Sequence, residues 1–294
     1  MSENNESLLN LVNSSGYLLQ LRLESYIDAS RTSHGWEIIG HEHPWMNQET
    51  GDEGFIDIVL GSQFQQVFRM VIECKRVLDS SWVFLVTSQN SMNVHRSRLY
   101  WSHRQVERKN LSGWHDFGLS PTFPEAGFCV VRGQSDKDKP MLERIAGILL
   151  KSVESLAEEE SNLAQTQPSE AHVYIPVIIT TASLEVCLVD LSDVNVENGQ
   201  LPDGKGHFEK VPFVAFRKGM TVINNLSKTV TNLKKANLKK EQTVFVVQAL
   251  DVLNFLDQVN KNIEMLGDFG DYRPPWDIAR EQENKSWSRG PSRE

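Results

Sequence analysis

Two β-type runs in this chain carry charge where a sheet tolerates it least. Residues 54–60 read Gly-Phe-Ile-Asp-Ile-Val-Leu, and residues 67–75 read Val-Phe-Arg-Met-Val-Ile-Glu-Cys-Lys. Side chains alternate along a strand, so Glu73 and Lys75 share one face while Ile72 and Cys74 share the other. Asp57 interrupts a set of large apolar residues in the same way. Buried charges of this kind cost free energy unless they pair or hold a metal ion. A hairpin between the runs sets Asp57 beside Glu73, and two neighbouring carboxylates repel until a cation joins them. Oxygen ligands of this type suit Mg²⁺ or Mn²⁺.

The surrounding pattern predicts the frame. Apolar spacing over residues 7–29 predicts a helix with a break at Ser15-Gly16. Residues 36–43 follow as a strand that Pro44 ends, then a polar loop over 47–54. With 55–60 and 67–76 this makes three strands in an antiparallel meander. Strands at 82–86 and 127–131 flank a polar insertion at about 79–137. A helix at 141–164 leads through a polar linker to 173–181, whose nearly continuous apolar character predicts burial on both faces. Residues 184–191, 211–216 and 243–247 are expected to continue the sheet, and 250–266 to form a last helix. The fold class is therefore α/β or α+β with a mixed central sheet flanked by helices. The expected organisation is a core over 1–181, an extension of the same domain over 182–266, and a flexible tail over 267–294.

Asp57, fifteen intervening residues, and then Glu73-Cys74-Lys75, on consecutive strands behind a leading helix, resemble the PD-(D/E)XK nuclease superfamily. The resemblance covers the first 181 residues. It implies a restriction-endonuclease-like core of helix, three strands, helix and strand, extended here by C-terminal strands and a helix. Ile56 stands where the family often has proline. Many members place an acid on the first helix, and Glu24 in Leu21-Arg-Leu-Glu-Ser-Tyr is the candidate. The activity implied is Mg²⁺- or Mn²⁺-dependent phosphodiester hydrolysis, of DNA ahead of RNA. Asp57 and Glu73 would hold the cation with the backbone carbonyl of Cys74, and Lys75 would orient water and offset charge growing on the phosphate. By analogy the expected setting is a prokaryotic defence or restriction system. The expected partners are nucleic acid and a second copy or a larger defence complex.

Thirty basic against 39 acidic residues give a net charge of −9, which argues against a polybasic coat for nucleic acid. Charge is unevenly spread. Residues 69–109 sum to +5 and include Arg76, Arg96, Arg98, Trp101 and Arg104, bases interleaved with aromatics that suit phosphate contact and base stacking. The other reading of this stretch is a solvated helix face with an aromatic anchored in the core. Residues 217–240 sum to +7 and read either as a second backbone-contact patch or as a lysine-rich surface helix.

His41-Glu42-His43 has a spacing compatible with metal binding, although two ligands do not make a site. A strand edge beside Pro44 is the better reading, with His41 or Glu42 lining a cleft. Three scattered cysteines form no CxxC pair, so neither disulfides nor structural zinc are expected, and a reducing cytoplasm is. There is no apolar segment of membrane-spanning length, no basic signal region, no nucleophile elbow and no phosphate-binding glycine loop. A second reading from another class remains: a catalytically inactive subunit that keeps the fold and binds nucleic acid or protein.

Overall fold

The computed structural model describes residues 3–48, 50–63, 68–78, 80–87, 94–103, 111–133, 140–163, 171–220, 232–261 and 263–265. In chain order the elements begin with α1 (Glu3–Ser14), α2 (Tyr17–Ala29), α3 (Arg31–His34), β1 (Trp36–Met46), β2 (Glu53–Ser62), β3 (Phe68–Lys75) and β4 (Ser81–Thr87). Next come β5 (Val94–His103), β6 (Leu111–Phe123), β7 (Glu125–Ala126), β8 (Phe128–Val131), α4 (Met141–Leu163), β9 (Ala171–Thr180) and β10 (Ser183–Val189). The chain continues with β11 (His207–Lys210), β12 (Phe213–Gly219), α5 (Leu233–Lys240), β13 (Glu241–Gln248), α6 (Val252–Lys261) and β14 (Ile263–Met265). The chain divides into Met1–Glu264 and Met265–Glu294, and the second unit, with the expected tail, lies outside the described residues apart from Met265.

The fold is mixed α/β. Its central sheet runs β1-β2-β3-β9-β13-β12-β7. The first three strands are the antiparallel meander, and β3 and β9 are parallel across the α4 crossover. Strand β9 is buried along almost its whole length, as its apolar run predicts. One flank of β9 takes β3. The other is divided, β5 pairing with Ala171–Tyr174 and β13 with Val177–Thr180.

Three expectations are corrected. Pro44 does not end β1, which continues to Met46 with Pro44 opposite Phe55. Strand β1 is the sheet's first strand, where a residue without an N–H is tolerated. The polar insertion supplies β5 and β6 to the central sheet. Residues 184–191 do not continue that sheet; β10 pairs in parallel with β4 in a second sheet ordered β11-β10-β4-β8. The last helix is shorter than expected, a 3₁₀ turn at Ala249–Asp251 followed by α6.

Helix α4 packs against the central sheet. Its buried side chains, Leu142, Ile145, Leu149, Leu150, Val153 and Leu156, pack with Val71 and Ile178 of the central sheet and with Trp82, Phe84 and Val186 of the second. Its far end is tied to β3 and β9 by Glu160, which meets Arg69 Nε at 3.0 Å, the Tyr174 hydroxyl at 2.6 Å and His172 Nδ1 at 3.3 Å. The passage from α2 into β1 is fixed by buried His34, whose Nδ1 accepts from the Trp36 N–H at 3.0 Å while Nε2 lies 3.1 Å from the Ile27 carbonyl. Among the described residues no helix is long and apolar enough to cross a membrane.

Candidate metal and phosphodiester site

Register brings the predicted acids together. Ile58 lies opposite Ile72, so one step further along the antiparallel pair sets Asp57 opposite Glu73. On the other side of β2, His41 faces Ile58 and His43 faces Ile56, which sets Glu42 across from Asp57. Three carboxylates from three adjacent strands thus form one row, and Lys75 lies two residues beyond Glu73 on the same strand face.

The strands separate at the row. The Asp57 carboxylate enters that gap and accepts the Cys74 N–H at 2.6 Å on Oδ2. Lys75 Nζ lies 2.5 Å from Glu73 Oε1. Burial raises the Asp57 carboxyl, Glu73 and Glu42 raise it further, and the Cys74 N–H and Lys75 oppose them; it ends at about 6. The buried Cys74 thiol is held well above its usual range, first by burial and then by Asp57, Glu73 and Glu24. The backbone beyond Lys75 is pinned to the end of β9. Thr181 N–H donates to the Lys75 carbonyl at 3.3 Å, and the Thr181 hydroxyl accepts from Val77 N–H at 2.8 Å.

Helix α2 completes the cluster. Leu23 and Ile27 bury one side of it, and Glu24, only 17% exposed, comes close enough to act on Cys74. Between Glu24 and Asp57 lies a residue that the sequence reading missed. Gln20 is 6% exposed, and its Nε2 donates to Glu24 Oε1 at 3.1 Å and to the Asp57 carbonyl at 3.2 Å. The signal was available in the helical period: Gln20 is four residues before Glu24 and so on the same face. His41 Nδ1 is 3.9 Å from Glu24 Oε2, while His43 turns to Glu159 at 2.9 Å. The two histidines therefore serve different neighbours. Glu42 adopts φ +45°, the one positive φ at a described residue other than glycine, just after the register shift between Ile38 and Gly40. That conformation is uncommon away from glycine and concentrates where a site needs it.

The donor set fits a hard divalent cation: carboxylate oxygens from Asp57, Glu73 and Glu24, with an Asp57 carboxyl raised first by burial and then by its acidic neighbours. Among the described residues no three His, Cys, Asp or Glu side chains already stand at metal-binding geometry. Glu73 is turned toward Lys75, so joint ligation needs a rotation of its side chain.

The basic and aromatic candidates divide differently. Arg76 is half-buried, directly after Lys75. Trp101 is 2% exposed and edge-on to His115, so the base-stacking surface expected of it is corrected: a ring inside the fold cannot stack on a base. The Arg98 side chain is 14% exposed and 3.6 Å from Asp116 in the neighbouring strand. The stretch is strand, not helix, and alternation turns Arg98 inward. Arg96 lies in β5 with its side chain outside the described residues, as all of Arg104 does. In the second basic segment Arg217 is bound to Glu241 at 2.9 Å and Glu125 at 3.6 Å, and Lys218 pairs with Glu143.

No family model, curated protein or solved structure matches this chain.

Proposed function

We propose that the chain is a divalent-metal-dependent nuclease of the PD-(D/E)XK type, built on a restriction-endonuclease-like core, with DNA ahead of RNA as substrate. The observation that carries the reading is the convergence of Asp57, Glu73 and Lys75 on paired strands, with Glu24 brought to them by a separate helix. Residues from three separate stretches of the chain meet at one end of β3. Structural ion pairing needs only two of them.

Asp57 and Glu73, with Glu24 and the Cys74 carbonyl, would hold Mg²⁺ or Mn²⁺. When bound, such an ion polarises a phosphoryl oxygen and makes water a stronger acid. The chain's own groups do the rest. The Cys74 N–H fixes one Asp57 oxygen and leaves the other for ligation. Lys75, 38% exposed, keeps a cationic donor at the mouth, where it can offset charge developing on a scissile phosphate. Its Glu73 partner holds that ammonium until substrate or metal competes for the carboxylate. Gln20 joins the helix to the strand row.

The test is cleavage of supercoiled DNA, single-stranded DNA and RNA with Mg²⁺ or Mn²⁺. Activity abolished by EDTA, by Lys75→Ala and by Asp57→Asn is expected. Cutting that persists in Lys75→Ala, or wild-type protein that cuts none of the three with either metal, refutes the reading.

A further inference from the structure

Helix α1 is amphipathic, yet among the described residues nothing buries its apolar face. Leu8, Leu9, Leu11 and Val12 recur at a spacing that lines one side of a helix, and they are 52, 54, 67 and 48% exposed. Every side chain described in this helix, from Asn5 to Ser14, is exposed. Tyr17, Leu18 and Leu21 continue the apolar surface onto α2. A helix of 12 residues is marginal in water by itself, so its stability depends on an apolar face being covered.

What covers it follows from charge and area. The helix carries Glu3 and Glu6 and no base. Helices that lie on anionic membranes carry lysine and arginine on the polar side, and nucleic acid repels the same acids. A protein surface remains. The seven apolar side chains expose on the order of 700 Å², against about 800 Å² per partner in a stable interface. A compact leucine-rich face of this kind is self-complementary when two copies meet about a two-fold axis.

We propose that the face formed by α1 and the start of α2 is the interface of a symmetric dimer, covered by the same face of a second copy. The assignment does not rest on the nuclease reading. It does place two copies of the Glu24-bearing helix next to the axis.

Sedimentation analysis of the full chain across a wide concentration range tests it. Wild type should sediment at twice the 33.4 kDa chain mass, and Leu8→Glu/Leu11→Glu at the single mass with a cooperative unfolding transition retained. Should the double variant lose that transition, Leu11→Gln reads the same surface, with dimer dissociation expected to rise roughly tenfold. Flotation with vesicles of phosphatidylcholine and phosphatidylglycerol separates the alternative. A monomeric wild type overturns the proposal, and one that also floats assigns the face to lipid. A double variant that stays dimeric, or a folded Leu11→Gln with unchanged dissociation, overturns it equally.

Discussion

Glu160→Gln removes one charge from the cluster that ties α4 to β3 and β9, and its effect can be worked out. Burial alone pushes the Glu160 carboxyl up, but His172, Arg69 and Tyr174 together outweigh it and hold the group at about 2, below an ordinary 4.5. A difference of that size corresponds to about 3 kcal/mol, an upper value for a side chain 21% exposed. The sign follows from the direction. A carboxylate depressed by folding stabilises the native state above its unfolded value and loses that contribution as pH falls toward its folded one. The difference between wild type and Glu160→Gln should therefore be largest above about pH 5, near 2 to 3 kcal/mol, and about half as large at pH 3. Glutamine keeps most of the shape, so the comparison isolates the charge. Urea unfolding at a series of pH values measures it. A difference under about 1 kcal/mol at pH 7, or one that does not shrink on acidification, refutes the reasoning.

Gln20→Ala should weaken Mn²⁺ binding about 10- to 100-fold, as loss of a residue orienting a ligand does, while costing only about 1 to 2 kcal/mol of stability. A calorimetric metal titration beside a thermal melt separates the two effects, and unchanged metal affinity would remove Gln20 from the site. Trp101→Ala should cost about 3 to 5 kcal/mol in chemical denaturation, the cost of emptying a core position. A stable Trp101→Ala with impaired nucleic-acid binding would restore the surface role that burial denies it. Lys75→Ala should leave the melting temperature nearly unchanged while abolishing cleavage, because its ion pair with Glu73 is partly exposed and worth little.

The parts legible in the sequence were those whose signal is local. Periodicity located α2, the meander, α4 and β9, and alternation told which face of β3 carries Glu73 and Lys75. Strand pairing then did the rest, since the register that packs Ile58 on Ile72 sets Asp57 across from Glu73. What stayed hidden depends on distant partners. The sequence of β5, with Arg96, Arg98 and Trp101, looks polar and surface-like. It is a strand because β9 and β13 diverge and admit it, and the Arg98 N–H donates to Thr243 Oγ1 at 2.9 Å. Strand β10 has the same apolar pattern as its neighbours, and nothing local says that it pairs with β4 in another sheet. The helical period puts Gln20 on the face of Glu24, but its second partner, the Asp57 carbonyl, belongs to a distant strand.

The divided flank of β9 has a consequence for how the chain is made. Its lower half is covered by β5, synthesised earlier, but its upper half waits for β13, and 60 residues separate Thr180 from Glu241. At ribosomal speeds that interval is roughly 3 to 12 s, during which a buried, apolar strand has an open upper edge. The nascent protein thus carries an open sheet edge while residues 181–240 are being added. A chain stopped at residue 181 would hold every residue of the proposed site and keep that exposed edge permanently.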